Sequence, residues 1–191
     1  MSENNKNLAD IKDLSVSFMT DAGSIKAVED VNFTIPRKTV VGVVGESGSG
    51  KSVTARSIIK LLPETATTSG AVYLSKRDGS DSLDVLSLSG EQLREVRGSE
   101  AAMVFQEPNS VLNPVYTIGW QIEEGLRAHG MKDKKELRAK AINILKKVGI
   151  PDAETRVDYY PHQFTPDQNR RMVMAMAWML DPALTLADEP T

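Results

Sequence analysis

The 191 residues include no cysteine, which excludes a disulfide framework, a thiolate zinc site and a cysteine nucleophile. Two histidines are too few for a centre built on several of them. Aromatic residues make up only 5% of the chain. Apolar runs such as Val40–Val44 and Met172–Leu180 fall far short of the roughly 20 residues a membrane-spanning helix needs. Neither sign of charge dominates, because 23 basic residues stand against 26 acidic ones for a net charge of −3. That balance gives no electrostatic basis for nucleic acid or an anionic membrane as the main partner. The start, Met1–Asn7, is polar and lacks the apolar stretch of a secretory signal. What remains is ordinary globular composition, 40% hydrophobic and 26% charged. A chain of this size can bury about 70% of its unfolded surface without crosslinks. The expectation is a soluble, cytosol-type protein of one domain or slightly more.

Hydrophobic patterning supplies the elements. Leu14, Val16 and Phe18 alternate with polar residues, as in a half-buried strand. Asp21-Ala22-Gly23-Ser24 is turn chemistry, and Ala27–Ile35 reads as a second strand closed by Pro36. Val40-Val41-Gly42-Val43-Val44 is a continuous β-branched run, expected to be a strand buried on both faces. A helix is predicted over Lys51–Leu62, ended by Pro63, with short strands over Gly70–Leu74, Leu83–Leu88 and Ala101–Phe105. Glu91–Arg97 reads as a short helix ending at Gly98. Ile118, Ile122 and Leu126 repeat every four residues, and Leu137, Ala141, Leu145 and Val148 do nearly the same, so two helices are predicted there. Thr165-Pro166-Asp167-Gln168 has the form of a capping box with proline at the first helical position. That helix should run to about Leu180, and Ala183–Ala187 should form the last strand. Strands mixed with helices, with a helical block between Pro108 and Tyr160, give an α/β fold.

Gly45-Glu46-Ser47-Gly48-Ser49-Gly50-Lys51-Ser52 matches G-x-x-x-x-G-K-[ST]. Three glycines let the backbone curl so that successive N–H groups point at phosphate oxygens. Lys51 is expected to reach the β- and γ-phosphates and the Ser52 hydroxyl to ligate Mg²⁺. A random match in a chain of this length has a chance of about one in a hundred, so nucleotide binding is preferred to a flexible Gly-Ser loop. Leu184-Thr185-Leu186-Ala187-Asp188-Glu189 adds an apolar strand ending in two carboxylates. Beside a phosphate loop, Asp188 would hold the Mg²⁺ shell and Glu189 would orient an attacking water. Thr185 interrupts the apolar run.

These motifs, with Phe105-Gln106-Glu107-Pro108, Leu112-Asn113-Pro114 and Tyr160-Pro161-His162-Gln163-Phe164 between them, closely resemble the ATP-binding subunits of ABC transporters. The similarity runs from about Ala9 to Thr191 and is greatest to the oligopeptide and dipeptide (peptide/nickel) importers. It implies a P-loop ATPase of α/β class: a RecA-like core with an antiparallel β lobe and a helical lobe. Within one domain over 1–191, the lobe and core would take 8–106 and 172–191, and the helical lobe 107–171. The resemblance also implies that Gln106 ligates Mg²⁺ and senses the membrane subunit, and that Phe18 stacks on adenine. ATP and Mg²⁺ are the implied cofactors. Transmembrane permease subunits, a second ATP-binding subunit and, indirectly, a solute-binding protein are the implied partners, with no nucleic acid. The place would be the cytoplasmic face of the membrane, peripherally.

Two departures bear on activity. Where the family reads Ser-Gly-Gly, this chain has Thr165-Pro166-Asp167. In the family that stretch binds the γ-phosphate held by the opposite subunit; proline has no N–H to give it, and Asp167 brings a like charge close to it. Thr191 follows directly on the second carboxylate motif, so the D-loop and switch histidine are expected to be absent. Coupled ATP hydrolysis is the first expectation, and a non-hydrolysing ATP-binding module is the alternative. The methionines at 172, 174, 176 and 179 are expected in a helix core. His129 is expected on a solvated turn, and His162 to have no chemistry of its own.

Overall fold

Strand-forming residues at 7–36 build two long strands, β1 (Asn7–Thr20) and β2 (Gly23–Pro36), paired antiparallel across the turn that the sequence predicts. The computed structural model describes residues 7–21, 23–105 and 111–188. Strand β3 (Ala66–Ser75) pairs antiparallel with β1, and the short β4 (Ser82–Asp84) with β3, giving the order β2-β1-β3-β4. Leu14, Val16 and Val72 are fully buried at the centre of this sheet. The register slips between Lys12 and Ser15 where β1 meets β3. Gly70 sits opposite that slip at φ +88°, and a Cβ there would lie 2.4 Å from the Asp13 carbonyl oxygen. Only glycine lets the two backbones approach that closely.

The chain divides into two units, residues 1–101 and 102–191. The first also holds α1 (Lys51–Ile58), a 3₁₀ turn at Val85–Ser87 and α2 (Gly90–Ser99). Helix α2 kinks near its end, where Arg97 leaves helical geometry and Gly98 takes φ 93°. Helix α1 stops at Ile58 rather than running to Leu62. Lys60 takes φ 52°, and the Lys60 and Leu61 N–H groups turn back to the Ser57 and Arg56 carbonyls. A left-handed residue with those two bonds ends the helix before Pro63 is reached.

The second unit is helical around a small sheet. Strand β5 (Ala101–Val104) pairs with β6 (Leu184–Ala187). The Asp188 N–H donates to the Val104 carbonyl at 3.0 Å, so the C-terminal ends of both strands lie together, as in a parallel pair. Helices α3 (Ile118–Ala128), α4 (Lys134–Lys147), α5 (Ala153–Arg156) and α6 (Pro166–Trp178) enclose a core that includes Ile118, Ile122, Leu145, Val157 and Met172. Met174, Met176 and Met179 pack against it, as expected of helix-core methionines. His129 lies on the expected turn, at the C-cap of α3, but is half-buried rather than solvated, with Nδ1 3.1 Å from the Gly125 carbonyl oxygen.

One expected strand is missing. No strand forms over 40–44, and Val40 and Val44 are 100% and 96% exposed. A strand buried on both faces needs a ladder at each side and a layer over each face. Among the described residues, β1–β4 pair with one another and β5 with β6, and none pairs with this run.

Candidate functional site

Residues 45–52 form a glycine-turned loop that runs into α1. Gly48 and Gly50 adopt φ 78° and 87°, and Gly50 is the residue from which the helix starts. A side chain at Gly45 would come within 2.8 Å of Ser49 Oγ, so the loop closes on itself there. The Ser49 N–H donates to the Glu46 carbonyl, and the Thr54 N–H to the Gly50 carbonyl. Lys51 Nζ donates to the carbonyls of Gly45 and Glu46, 2.8 Å each, which gathers the loop around one ammonium group. Lys51 and Ser52, the first two helical residues, are half-buried. A cation, a hydroxyl and left-handed glycines at a helix N-terminus make a donor set that fits phosphate.

The neighbouring strand has a part in this that the motif does not announce. Where β1 pairs with β2 the register jumps between Val16 and Ser17, leaving Ala27 without an opposite residue. At that bulge the Ala27 carbonyl oxygen lies 2.6 Å, and Val28 Cγ2 3.1 Å, from where a Gly50 Cβ would be. Ala27 and Val28 therefore seat the last glycine of the loop, and bulges recur at such places because they re-aim the backbone. Nothing in the local sequence marks them. Phe18 is half-buried on β1, opposite Ile25 of β2 and Ala66 of β3. It lies two residues beyond the Val16–Val28 pair, about 7 Å further along the strand.

In the second unit Asp188 is 8% exposed at the end of β6. Leu184 and Leu186 are buried while Thr185 faces out, and its hydroxyl accepts a hydrogen bond from Trp178 Nε1 at 3.2 Å. The polar interruption of the strand thus has a partner. Among the described residues no three His, Cys, Asp or Glu side chains cluster as a metal cage. Gln106 and Glu189 lie outside the described residues.

The altered segment at 165–168 is a helix cap. Thr165 Oγ1 accepts from the Gln168 N–H and Gln168 Oε1 accepts from the Thr165 N–H, both at 3.2 Å, with Pro166 at the first helical position. Asp167 pairs with Arg171 at 2.9 Å on the same helix face. The capping box read from the sequence is present, and the Thr165 hydroxyl is engaged in it. His162 stacks on Tyr160 with ring centroids 5.8 Å apart.

The sequence profile of the ABC transporter family matches residues 28–191. The chain belongs to the ABC transporter family. A Brucella abortus (strain 2308) protein named as a peptide import ATP-binding protein is 47% identical over 96% of this chain and 54% of its own length. A Sinorhizobium fredii protein named as a peptide ABC transporter ATP-binding protein is 42% identical over the same shares. The chain thus spans about half the length of these ABC relatives. A solved ATP-binding cassette, a dimer in a post-hydrolysis state bound to ADP and Pi, superposes with TM-score 0.79 at 28% identity. That match covers 96% of this chain and 74% of the other. The fold is that of P-loop ATPase cassettes, as the resemblance implied.

Proposed function

We propose that this chain is the ATP-binding subunit of an ABC importer for peptides or related solutes. The observation that carries the reading is the loop at 45–52, with left-handed Gly48 and Gly50 and with Lys51 opening α1. Lys51 holds the β- and γ-phosphates, and Phe18 stacks on adenine from the same unit. Ser52 and Asp188, with Gln106, hold Mg²⁺, which when bound neutralises charge on the β- and γ-phosphate oxygens. Glu189 orients the attacking water. One nucleotide-binding domain, its helical lobe at 107–171, works with a second ATP-binding subunit and with permease subunits that receive solute from a binding protein. It sits on the cytoplasmic face of the membrane as a peripheral subunit. No helix among the described residues is long and apolar enough to cross a membrane. The names of the curated relatives support the peptide assignment.

A second reading is favoured by the cap on α6. With Pro166 lacking an N–H and Thr165 bonded within its own helix, the chain binds nucleotide without completing a partner's site. Titration with Mg·ATP tests the common part. Lys51→Ala should weaken binding at least tenfold, about 1.4 kcal/mol, and equal affinities would overturn both readings. Phosphate release separates them. Turnover near 1 s⁻¹ that Glu189→Gln abolishes supports the hydrolysing subunit, whereas binding without turnover supports the second reading.

A further inference from the structure

The end of α1 remote from the phosphate loop is held by two cations that no motif predicts. Lys60 follows the helix in a left-handed conformation, φ 52°. Glycine is the usual residue there, because any side chain pays a steric penalty. Here the lysine side chain has a use: Nζ donates to the carbonyls of Leu86 and Leu88, 2.7 Å each, in the segment that leads into α2. At the other end of α2, Arg97 answers. Its Nε donates to the Ile59 carbonyl at 3.0 Å and its Nη2 to the Lys60 carbonyl at 2.5 Å. Ile59 is the C-cap of α1 and Lys60 the next residue, so Arg97 holds the two carbonyls at which the chain leaves the helix. Arg97 can reach them because α2 breaks at Arg97 and Gly98 (φ 93°). Burial pushes the Arg97 guanidinium below its ordinary pKa, the mark of a cation withdrawn from water for these bonds.

Two backbone departures and two charges thus converge on one helix end. Backbone strain kept in a fold signals a position that the surroundings over-determine, and such positions cluster where function demands geometry. Helix α1 has eight residues, about 12 Å in length, too short to be stable alone. What fixes its place is its surroundings, and about two turns of helix join Ile58 to Lys51. We infer that Lys60 and Arg97 are positioning residues for the phosphate loop: they fix the far end of α1 and so set how tightly the loop holds phosphate. The inference rests on the reading of 45–52 as a nucleotide site.

Lys60→Gly provides the sharpest test, since glycine relaxes the left-handed turn while removing the ammonium. If Lys60 only ends the helix, this variant binds nucleotide as the wild type does and melts no lower. If the brace positions the loop, Mg·ATP affinity falls about three- to tenfold in protein that circular dichroism shows fully folded. Arg97→Met should produce a similar loss, and Arg97→Lys, which keeps the charge but not the two-armed fork, should recover part of it. Inorganic tripolyphosphate with Mg²⁺ should lose the same factor as Mg·ATP, because the effect lies at the phosphates. Unchanged affinity in both Lys60→Gly and Arg97→Met overturns the brace alone. Failure of the wild type to bind Mg·ATP overturns the nucleotide reading and the brace with it.

Discussion

Asp158 shows how little an ideal-looking contact can contribute when it is wet. Arg138 meets it with both arms, Nη1 to Oδ1 at 2.7 Å and Nη2 to Oδ2. The hydrogen bonds from Arg138 hold the Asp158 carboxyl below its ordinary pKa. A carboxylate whose folded pKa is depressed stabilises the fold above its unfolded value, about 4, and loses that stabilisation as pH falls through the lower folded value. Both side chains are well exposed, at 36% and 62%, so the pair contributes less than about 1 kcal/mol. Asp158→Asn should lower stability to urea by no more than that at pH 7, and by progressively less as pH falls below about 4 toward the depressed folded value. A difference that does not shrink as pH falls would mean Asp158 acts by something other than its charge. At this scale the sequence was a good guide where function imposes fixed spacing, as at Lys51 and Ser52, whose placement at the start of α1 follows from the motif. It said nothing of Lys60 or Arg97, because their partners are main-chain carbonyls 26 to 38 residues away.

Helix α3 is fitted to its neighbours through glycines. At Gly119 a Cβ would lie 2.4 Å from Val157 Cγ2 and 2.7 Å from the Val157 carbonyl oxygen. At Gly125 it would lie 1.8 Å from Met179 Cε, which is nominally worse. The obstacles differ in kind: one includes backbone that cannot step aside, the other is the tip of a flexible side chain. Gly119→Ala should therefore destabilise the second unit by about 1–3 kcal/mol. Gly125→Ala should cost less, since Met179 swings away and alanine favours the helix. Denaturation curves of the two variants compare them directly, and the reverse order would show that backbone is the softer obstacle. Helices and caps were legible because their signals are local: Thr165 and Gln168 lie three residues apart and bond as their pattern requires. Strands are less so. Val40–Val44 has the composition of an interior strand and not the partners. Its valines specify a potential for pairing, which another part of a chain must complete.

At the scale of the molecule, that run is the largest exception among the described residues to the rule that apolar residues leave water. Val40 and Val44 are almost wholly exposed, with Val43 at 56%, and such a contiguous exposed apolar run is a site for association. Replacing Val40 and Val44 together by threonine preserves β-branching while adding hydroxyls. The unfolding midpoint should change by less than about 0.5 kcal/mol equivalent, and light scattering on standing should rise more slowly. A larger fall in stability would show these valines packed rather than exposed. The division into two units has an optical counterpart. Both tryptophans belong to the second unit: Trp120 is stacked 4.1 Å from Tyr116 beneath the Arg127 guanidinium, and Trp178 is bonded to Thr185. Indole emission therefore arises from side chains within residues 102–191. Circular dichroism sums over both units. Should the two melt separately, these probes will disagree, and a midpoint taken from fluorescence will describe the half of the chain that carries Asp188, not the half that carries Lys51.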